Sequence, residues 1–180
     1  TIASTGNAAD FGDATTRLGT RVVSSSTRAI AGSGAVYTPS WTPTNIMDYV
    51  TIASTGNAND FGDLGVAAQK RCTFGSPTRG FWAGGYYPSN PNGRIEYVTI
   101  ATLGNGTDFG DVYGGSAMNR AAACSNAIRG ITFGDNNNTD NITYITMSST
   151  GNAIYFGECA VDDANNTGMG AAASPVRAVS

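Results

Sequence analysis

The chain has 180 residues, enough for one sizeable domain, and few charged side chains, with 10 Lys and Arg against 13 Asp and Glu. Its net charge of −3 argues against nucleic-acid binding, which needs a basic face, and no apolar stretch approaches the ~18–20 residues that would insert into a membrane. The absence of histidine excludes Ser-His-Asp and Cys-His catalytic arrangements and the common zinc sites.

One motif occurs four times along the chain. Its copies read TGNAADFGD, TGNANDFGD, LGNGTDFGD and TGNAIYFGE, at residues 5–13, 55–63, 103–111 and 150–158. Successive copies are 50, 48 and 47 residues apart, measured between their first glycines. A period in this range indicates an array of one supersecondary unit. Four arginines and three tyrosines keep the same period: Arg28, Arg79, Arg129 and Arg177, and Tyr49, Tyr97 and Tyr144.

The elements of the best-preserved unit are predicted from β-branched and aromatic runs separated by Gly, Pro and Asn. In chain order these are a strand at Arg79–Ala83, a loop at Tyr86–Gly93, a strand at Arg94–Thr102, a turn at Leu103–Thr107, a strand at Asp108–Tyr113 and a strand at Met118–Ser125. No segment has a sustained helical period. The sequence therefore predicts an all-β fold built from four-stranded repeats of about 48–50 residues.

The long strand of each unit is apolar on both faces, which indicates a sheet covered by neighbours on both sides. A β-propeller blade meets this requirement, and a β-solenoid is the alternative. We predict one repeat domain over residues 1–180, with units at 1–27 (partial), 28–78, 79–128, 129–176 and 177–180 (partial). Because the chain begins and ends inside a repeat, we expect it to be part of a longer chain.

The unit resembles a kelch-like repeat. The resemblance rests on the glycine pair Gly84-Gly85, the Ile95-Glu96-Tyr97 strand, the aromatic Phe109 and the later Arg120. It implies a kelch-like β-propeller. The sequence departs from the pattern in having Phe where the family has Trp, and in keeping the glycine pair only in this unit.

A closer resemblance covers residues 48–64, DYVTIASTGNANDFGDL. This segment is similar to the YVTIASTGNAxDFGDL repeat proteins found among structural and tail-associated proteins of marine bacteriophages. The resemblance implies a virion, extracellular location in a tail fibre, tail tip or surface decoration. The partners it implies are other virion proteins or copies of the same chain.

The repeated carboxylates are the candidate metal ligands. With the motif asparagines they supply the hard oxygen atoms that Ca²⁺ takes. The alternative is that these Asp and Asn residues cap turns, which every repeat unit needs, and this interpretation is favoured. No other cofactor is predicted. The candidates are Asp10, Asp13, Asp60, Asp63, Asp108 and Asp111.

The motif phenylalanines are predicted to pack between repeat units, and the repeated arginines to bind carbonyls of the next unit or a repeated Asp. An anion site on a central channel is the alternative for the arginines. The cysteines Cys72, Cys124 and Cys159 occupy different repeat positions and are read as small buried residues.

Recognition is expected in the variable loops 36–45, 86–93 and 135–141, because repeat scaffolds place their differences there. Aromatic side chains among Asn, Ser and Thr suit stacking on sugar rings. The alternative is that the aromatics pack the loops down. The candidate ligand-binding residues are Tyr37, Trp41, Trp82, Tyr86 and Tyr87.

These observations favour a non-enzymatic virion appendage that supports attachment to host-surface glycans. A secreted or cell-surface carbohydrate-binding propeller is the second hypothesis. A glycan-cleaving enzyme is the third, and it would need an unrepeated acidic pair in one cleft.

Overall fold

The computed structural model describes residues 6–86, 93–115, 118–135, 139–159, 170–174 and 177–179. Within these ranges the protein forms three four-stranded antiparallel sheets and two short hairpins, with no α-helix. The same ranges contain no helix of the length and apolarity that a bilayer span requires. The predicted all-β class is confirmed.

The first sheet has the order β1-β2-β5-β6, with β1 at Arg21–Ser24, β2 at Arg28–Gly32, β5 at Ile46–Thr51 and β6 at Asn59–Asp63. The second has β7 at Cys72–Gly75, β8 at Arg79–Ala83, β9 at Arg94–Thr99 and β10 at Thr107–Asp111. The third has β11 at Ala122–Ser125, β12 at Arg129–Asp135, β13 at Thr139–Thr146 and β14 at Ile154–Glu158. The hairpins are β3–β4 at Ala35–Tyr37 and Trp41–Pro43, and β15–β16 at Ala172–Ala173 and Ala178–Val179.

The four-stranded unit is confirmed, but its strands are divided differently from the sequence repeat. The predicted last strand of the second full unit is β11, which pairs with β12 of the following unit. Each sheet thus takes its first strand from the end of the preceding sequence unit. Local composition identifies a strand, whereas its pairing depends on the whole chain.

The first two strands of each sheet form a hairpin, and the same type of turn connects them each time. A Ser or Asn side-chain oxygen accepts a hydrogen bond from the amide of the Arg that begins the second strand. The distances are 3.3 Å for Ser25 and Arg28, 3.0 Å for Ser76 and Arg79, 2.8 Å for Asn126 and Arg129, and 3.1 Å for Ser174 and Arg177. Because β15 and β16 flank the fourth of these turns, they correspond to the first hairpin of a further sheet.

The sheets stack face to face, and the middle sheet is covered on both sides as predicted. On β9, Val98 lies in a cluster with the first sheet, whereas Ile95 lies in a cluster with the third sheet. Burial of these large apolar side chains is the main stabilising term. The interface with the first sheet contains Val23, Ile30, Met47, Phe61, Leu64, Trp82, Val98 and Ile100.

Glycines in the second strand allow the stacked sheets to approach closely. An added Cβ at Gly80 would meet the side chain of Val23, and one at Gly130 would meet the ring of Phe74. Each of these contacts joins the first strand of one sheet to the second strand of the next. The small residues of the repeat are therefore packing positions between sheets.

Two of the variable loops differ from their prediction. Residues 36–45 contain most of the β3–β4 hairpin, in which Tyr37 lies opposite Trp41. At the loop predicted for residues 135–141, β12 continues to Asp135 and β13 begins at Thr139, and residues 136–138 lie outside the described residues. Gly- and Asn-rich sequence favours turns, but cross-strand pairing of the flanking residues extends the strands here. Residues 87–92 of the third loop lie outside the described residues.

A buried ion pair lies within the second sheet. The Arg71 guanidinium is 2.9 Å from the Glu96 carboxylate, and both side chains are fully buried. Glu96 also accepts a hydrogen bond from the Gly65 amide at 2.6 Å, and Arg71 donates to the Val66 carbonyl at 2.9 Å. On the third sheet the position of Glu96 is taken by Thr143, which lies opposite Thr132 with the two hydroxyls 2.7 Å apart, as Glu96 lies opposite Trp82.

Glu96→Ala is expected to destabilise the fold by about 3–5 kcal/mol, because it leaves the Arg71 charge buried without its carboxylate. Urea unfolding followed by circular dichroism measures the change. Glu158→Ala is the matched control. It removes the other glutamate of the chain, which is exposed, and should change stability by less than about 0.5 kcal/mol. Equal losses for the two variants would contradict the structural role of the buried pair.

Candidate functional site

The repeated motif joins each unit to the next. At the middle of the chain, Gly104 and Gly106 donate their amides to the carbonyls of Phe61 and Asp63 at 2.9 and 2.8 Å. The Asp63 amide in turn donates to Asn105 Oδ1 at 2.9 Å. We call this set of three hydrogen bonds a motif junction. It ties the outer strand of one sheet to the turn that precedes the outer strand of the next.

The motif junction occurs three times in the described residues. Phe11 and Asp13 make it with Gly56, Ala58 and Asn57 at 2.8, 2.8 and 3.0 Å. Phe109 and Asp111 make it with Gly151, Ala153 and Asn152 at 2.8, 2.8 and 2.9 Å. The TGN half of a copy therefore binds the preceding copy, and its FGD half binds the following one.

The first carboxylate of each motif binds a backbone amide of its own motif. Asp10, Asp60 and Asp108 each accept a hydrogen bond at Oδ1 from the glycine amide two residues later, at 3.1, 3.1 and 3.2 Å. The second carboxylates, on Asp13, Asp63 and Asp111, belong to residues whose backbone forms the motif junction. For Asp60 and Asp108 the capped glycine lies in the irregular part of strands β6 and β10, so these side chains cap a strand irregularity where the sequence predicted a turn. Within the described ranges, no three His, Cys, Asp or Glu side chains converge as a metal site would require.

The motif phenylalanine is the extra residue of a β-bulge. Gly62 lies opposite Met47 and Asp60 opposite Asp48, so Phe61 has no partner on β5. The bulge turns the ring between the sheets. Phe61 and Phe109 are buried, as predicted, whereas Phe11 and Phe156 are 39% and 61% exposed and the prediction is wrong for them in this structure.

The repeated arginines stack on the repeated tyrosines. The guanidinium carbons of Arg28, Arg79 and Arg129 lie 4.8, 4.7 and 4.6 Å from the ring centroids of Tyr49, Tyr97 and Tyr144. Arg28 donates to the carbonyls of Ile100 and Ala101 at 3.1 and 3.0 Å, and Arg79 donates to the Met147 carbonyl at 2.8 Å. Two of the arginines thus bind carbonyls of the next sheet, as predicted.

The candidate ligand-binding aromatics have different environments. Tyr37 and Trp41 form a tilted pair, 5.2 Å apart, and are 65% and 49% exposed on the β3–β4 hairpin. Trp82 is fully buried and donates Nε1–H to the Arg21 carbonyl at 3.3 Å, so its prediction as a ligand contact is wrong. Trp82 fills the space that Gly32 leaves open in the first sheet, and its place between Phe81 and Ala83 in a short apolar strand was the signal of burial. Tyr86 is 39% exposed with Lys70 over its ring, and Tyr87 lies outside the described residues.

The cysteines are free thiols, and Cys72 and Cys124 are buried. Burial raises the pKa of the Cys72 thiol to about 12, which leaves it protonated and unreactive at neutral pH. Cys159 is partly exposed.

The sequence did not indicate an open groove of about 360 Å³ beside the third sheet. Its walls include Arg129, Ile142 and Phe156 of the sheet and Ala178 of β16. The feature of the sequence that sets this region apart is the fourth motif copy, TGNAIYFGE, which lacks the first aspartate of the other copies.

Gly62→Ala is expected to destabilise the fold by about 1–3 kcal/mol. Gly62 has φ +134°, and an added Cβ would lie 2.6 Å from the Gly104 carbonyl oxygen of the motif junction. Gly157→Ala is the matched control from the fourth copy, because its added Cβ meets nothing within 4 Å. Thermal unfolding should show a lower midpoint only for the first variant, and a similar loss in both would contradict the junction as its cause.

Asp60→Asn tests the calcium hypothesis. An asparagine oxygen can still accept the hydrogen bond from Gly62, so we expect a stability change within about 0.5 kcal/mol. We also expect the unfolding midpoint of either protein to be the same in calcium as in EDTA. A midpoint that rises with calcium in the wild-type chain and not in Asp60→Asn would instead identify a calcium site.

No family model matches the chain, and no curated protein matches it.

Proposed function

We propose that the chain is a non-enzymatic structural and adhesive module of a virus particle, in a tail fibre, tail tip or surface decoration. In this proposal its sheets are blades of a kelch-like β-propeller, and an exposed hairpin binds host-surface glycans. The virion location is supported by the resemblance of residues 48–64 to phage repeat proteins.

The β3–β4 hairpin is the observation that carries the adhesive part of the proposal. It is an insertion between β2 and β5 that the second and third sheets do not repeat in their described residues. Tyr37 and Trp41 lie side by side on it with most of one ring and half of the other exposed. Two exposed rings beside Ser and Thr hydroxyls offer a stacking surface and hydrogen bonds to a sugar.

The polar side chains that recur with the repeat period support a structural role for the chain. Side chains that recur with the period bind backbone groups: Asp60 binds an amide of its own motif, Asn105 binds an amide of the preceding motif, and Arg79 binds a carbonyl of the next sheet. The buried Arg71–Glu96 pair has no exposed side-chain surface, so a substrate cannot reach it. Catalysis uses one specialised site, whereas these groups repeat with the fold.

A glycan array followed by calorimetry on the strongest hit tests the adhesive function. Trp41→Ala and Tyr37→Ala are each expected to weaken binding at least about tenfold, because each removes a stacking ring. Tyr113→Ala is the matched control, since Tyr113 is 48% exposed and packs against another exposed tyrosine away from the hairpin. Unchanged binding in both hairpin variants would overturn the assignment.

Peptide mapping of purified particles tests the location. Peptides of this chain in intact virions would support the virion proposal. Their absence from particles, together with glycan binding by the secreted protein, would favour the carbohydrate-binding propeller instead.

A further inference from the structure

The series of motif junctions leaves one complementary half at each end. The FGE half of the fourth copy, Phe156–Glu158, receives no motif junction from the described residues. Gly6, Asn7 and Ala8, the described residues of the first TGN segment, also make none. At each of the three motif junctions a TGN half binds the FGD half of another copy. The two unpaired halves, one FGE and one TGN, are therefore complementary.

The groove beside the third sheet is the corresponding unfilled packing surface. At the preceding interface, Ile145 of β13 and Met147, which directly follows β13, cover Phe109 and Ile95 of the second sheet. The equivalent residues of the third sheet are Phe156 and Ile142, and they line the groove. Phe156 is 61% exposed, whereas Phe109 is 3% exposed.

Arg129 supports the same conclusion. Arg28 and Arg79 each donate a guanidinium hydrogen bond to a carbonyl at the end of the middle strand of the next sheet. Arg129 stacks on Tyr144 in the same way and lines the groove, but within the described residues its guanidinium has no carbonyl partner on a following sheet. The groove therefore provides an apolar surface, a hydrogen-bond donor and a bulged strand edge. At the two formed interfaces, the same three features bind the third strand of the next sheet and its TGN turn.

The β15–β16 hairpin lies beside the groove. It repeats the turn of the earlier first hairpins, and Ala178 packs with Cys124 of the third sheet. Among the described residues, β15 and β16 form a two-stranded sheet with no third strand. The strand that fills this place at the other interfaces ends in Thr-Ile or Thr-Met and leads into the TGN turn.

The chain carries such a segment at its start. Residues 1–8 read TIASTGNA, identical to residues 51–58, where the segment ends β5 and forms a motif junction. Residues 1–5 lie outside the described residues. We propose that the groove, together with Phe156–Glu158, binds residues 1–8 of a second copy of the chain, so that copies associate head to tail.

A second copy is favoured over the same chain by the hydrogen bonds of the described residues. The first motif copy is joined to the first sheet through Phe11 and Asp13, and the groove lies on the third sheet. Residues 6–8 of the same chain make no backbone hydrogen bond to Phe156–Glu158. A contact of this kind is heterologous, with different surfaces on the two partners, and it continues an interface that the chain already repeats internally. The proposed head-to-tail contact does not depend on glycan binding.

Sedimentation velocity over a concentration series tests the proposal on the full chain. We expect reversible, concentration-dependent association that Phe156→Lys weakens at least about tenfold, because the variant places a charge in the groove. Tyr37→Lys is the matched control, since Tyr37 is similarly exposed, at 65%, and lies on the β3–β4 hairpin. A chain that stays monomeric at every concentration would overturn the proposal.

A synthetic peptide with the sequence of residues 48–58, DYVTIASTGNA, provides a second measurement. We expect the fluorescently labelled peptide to bind the wild-type chain and to compete with self-association. Phe156→Lys should lose peptide binding, and Arg129→Ala should weaken it. Circular dichroism confirms that both variants fold.

The peptide experiment also shows whether the chain's own residues 1–8 occupy the groove in place of a second copy. If only a chain without residues 1–8 binds it and the full chain is monomeric, the chain's own segment fills the groove and the second-copy assignment is wrong. The glycan assay remains independent, because Tyr37→Lys should lose glycan binding and keep self-association, and Phe156→Lys should do the reverse.

Discussion

The fold depends on the motif junction, in which the amides of one TGN turn bind the carbonyls of the preceding FGD strand. This contact satisfies backbone groups on outer strands that would otherwise present unpaired edges. It also fixes how far each sheet is displaced from the next, because the hydrogen bonds have a narrow range of length. The same sequence motif therefore recurs at each junction, and its period is the period of the stack.

The glycine and the phenylalanine of the motif act together at the bulge. Gly62 allows the next turn to approach its Cα, and the extra residue Phe61 is turned into the space between the sheets. A side chain at the glycine would separate the strands, and a smaller residue at the phenylalanine would leave a cavity. Hydrogen bonding at the edge and apolar burial at the interface are thus provided by adjacent residues.

Residues outside the period are free to differ, and they include the β3–β4 hairpin, which we propose as the glycan-binding surface. In the part of the chain that the structure describes, the β3–β4 hairpin interrupts the first sheet alone, and its aromatic pair is exposed. By contrast, Trp82 is also unrepeated but lies in a strand between two sheets, where it is fully buried. Both tryptophans lie near predicted variable loops in the sequence, and only their tertiary positions separate a candidate contact residue from a core residue.

The sequence by itself determined the repeat, the strands and the all-β class, because periodicity, β-branched residues and turn-forming glycines are local signals. It also predicted that Arg28 and Arg79 bind either a repeated Asp or carbonyls of the next unit, since they recur with the period, and the structure selects the carbonyls. Only the tertiary structure decided that β11 pairs with β12 of the following unit, that the motif binds its next copy and that the groove beside Phe156 is open. These are contacts between residues far apart in the chain, and their geometry is determined by how whole sheets stack.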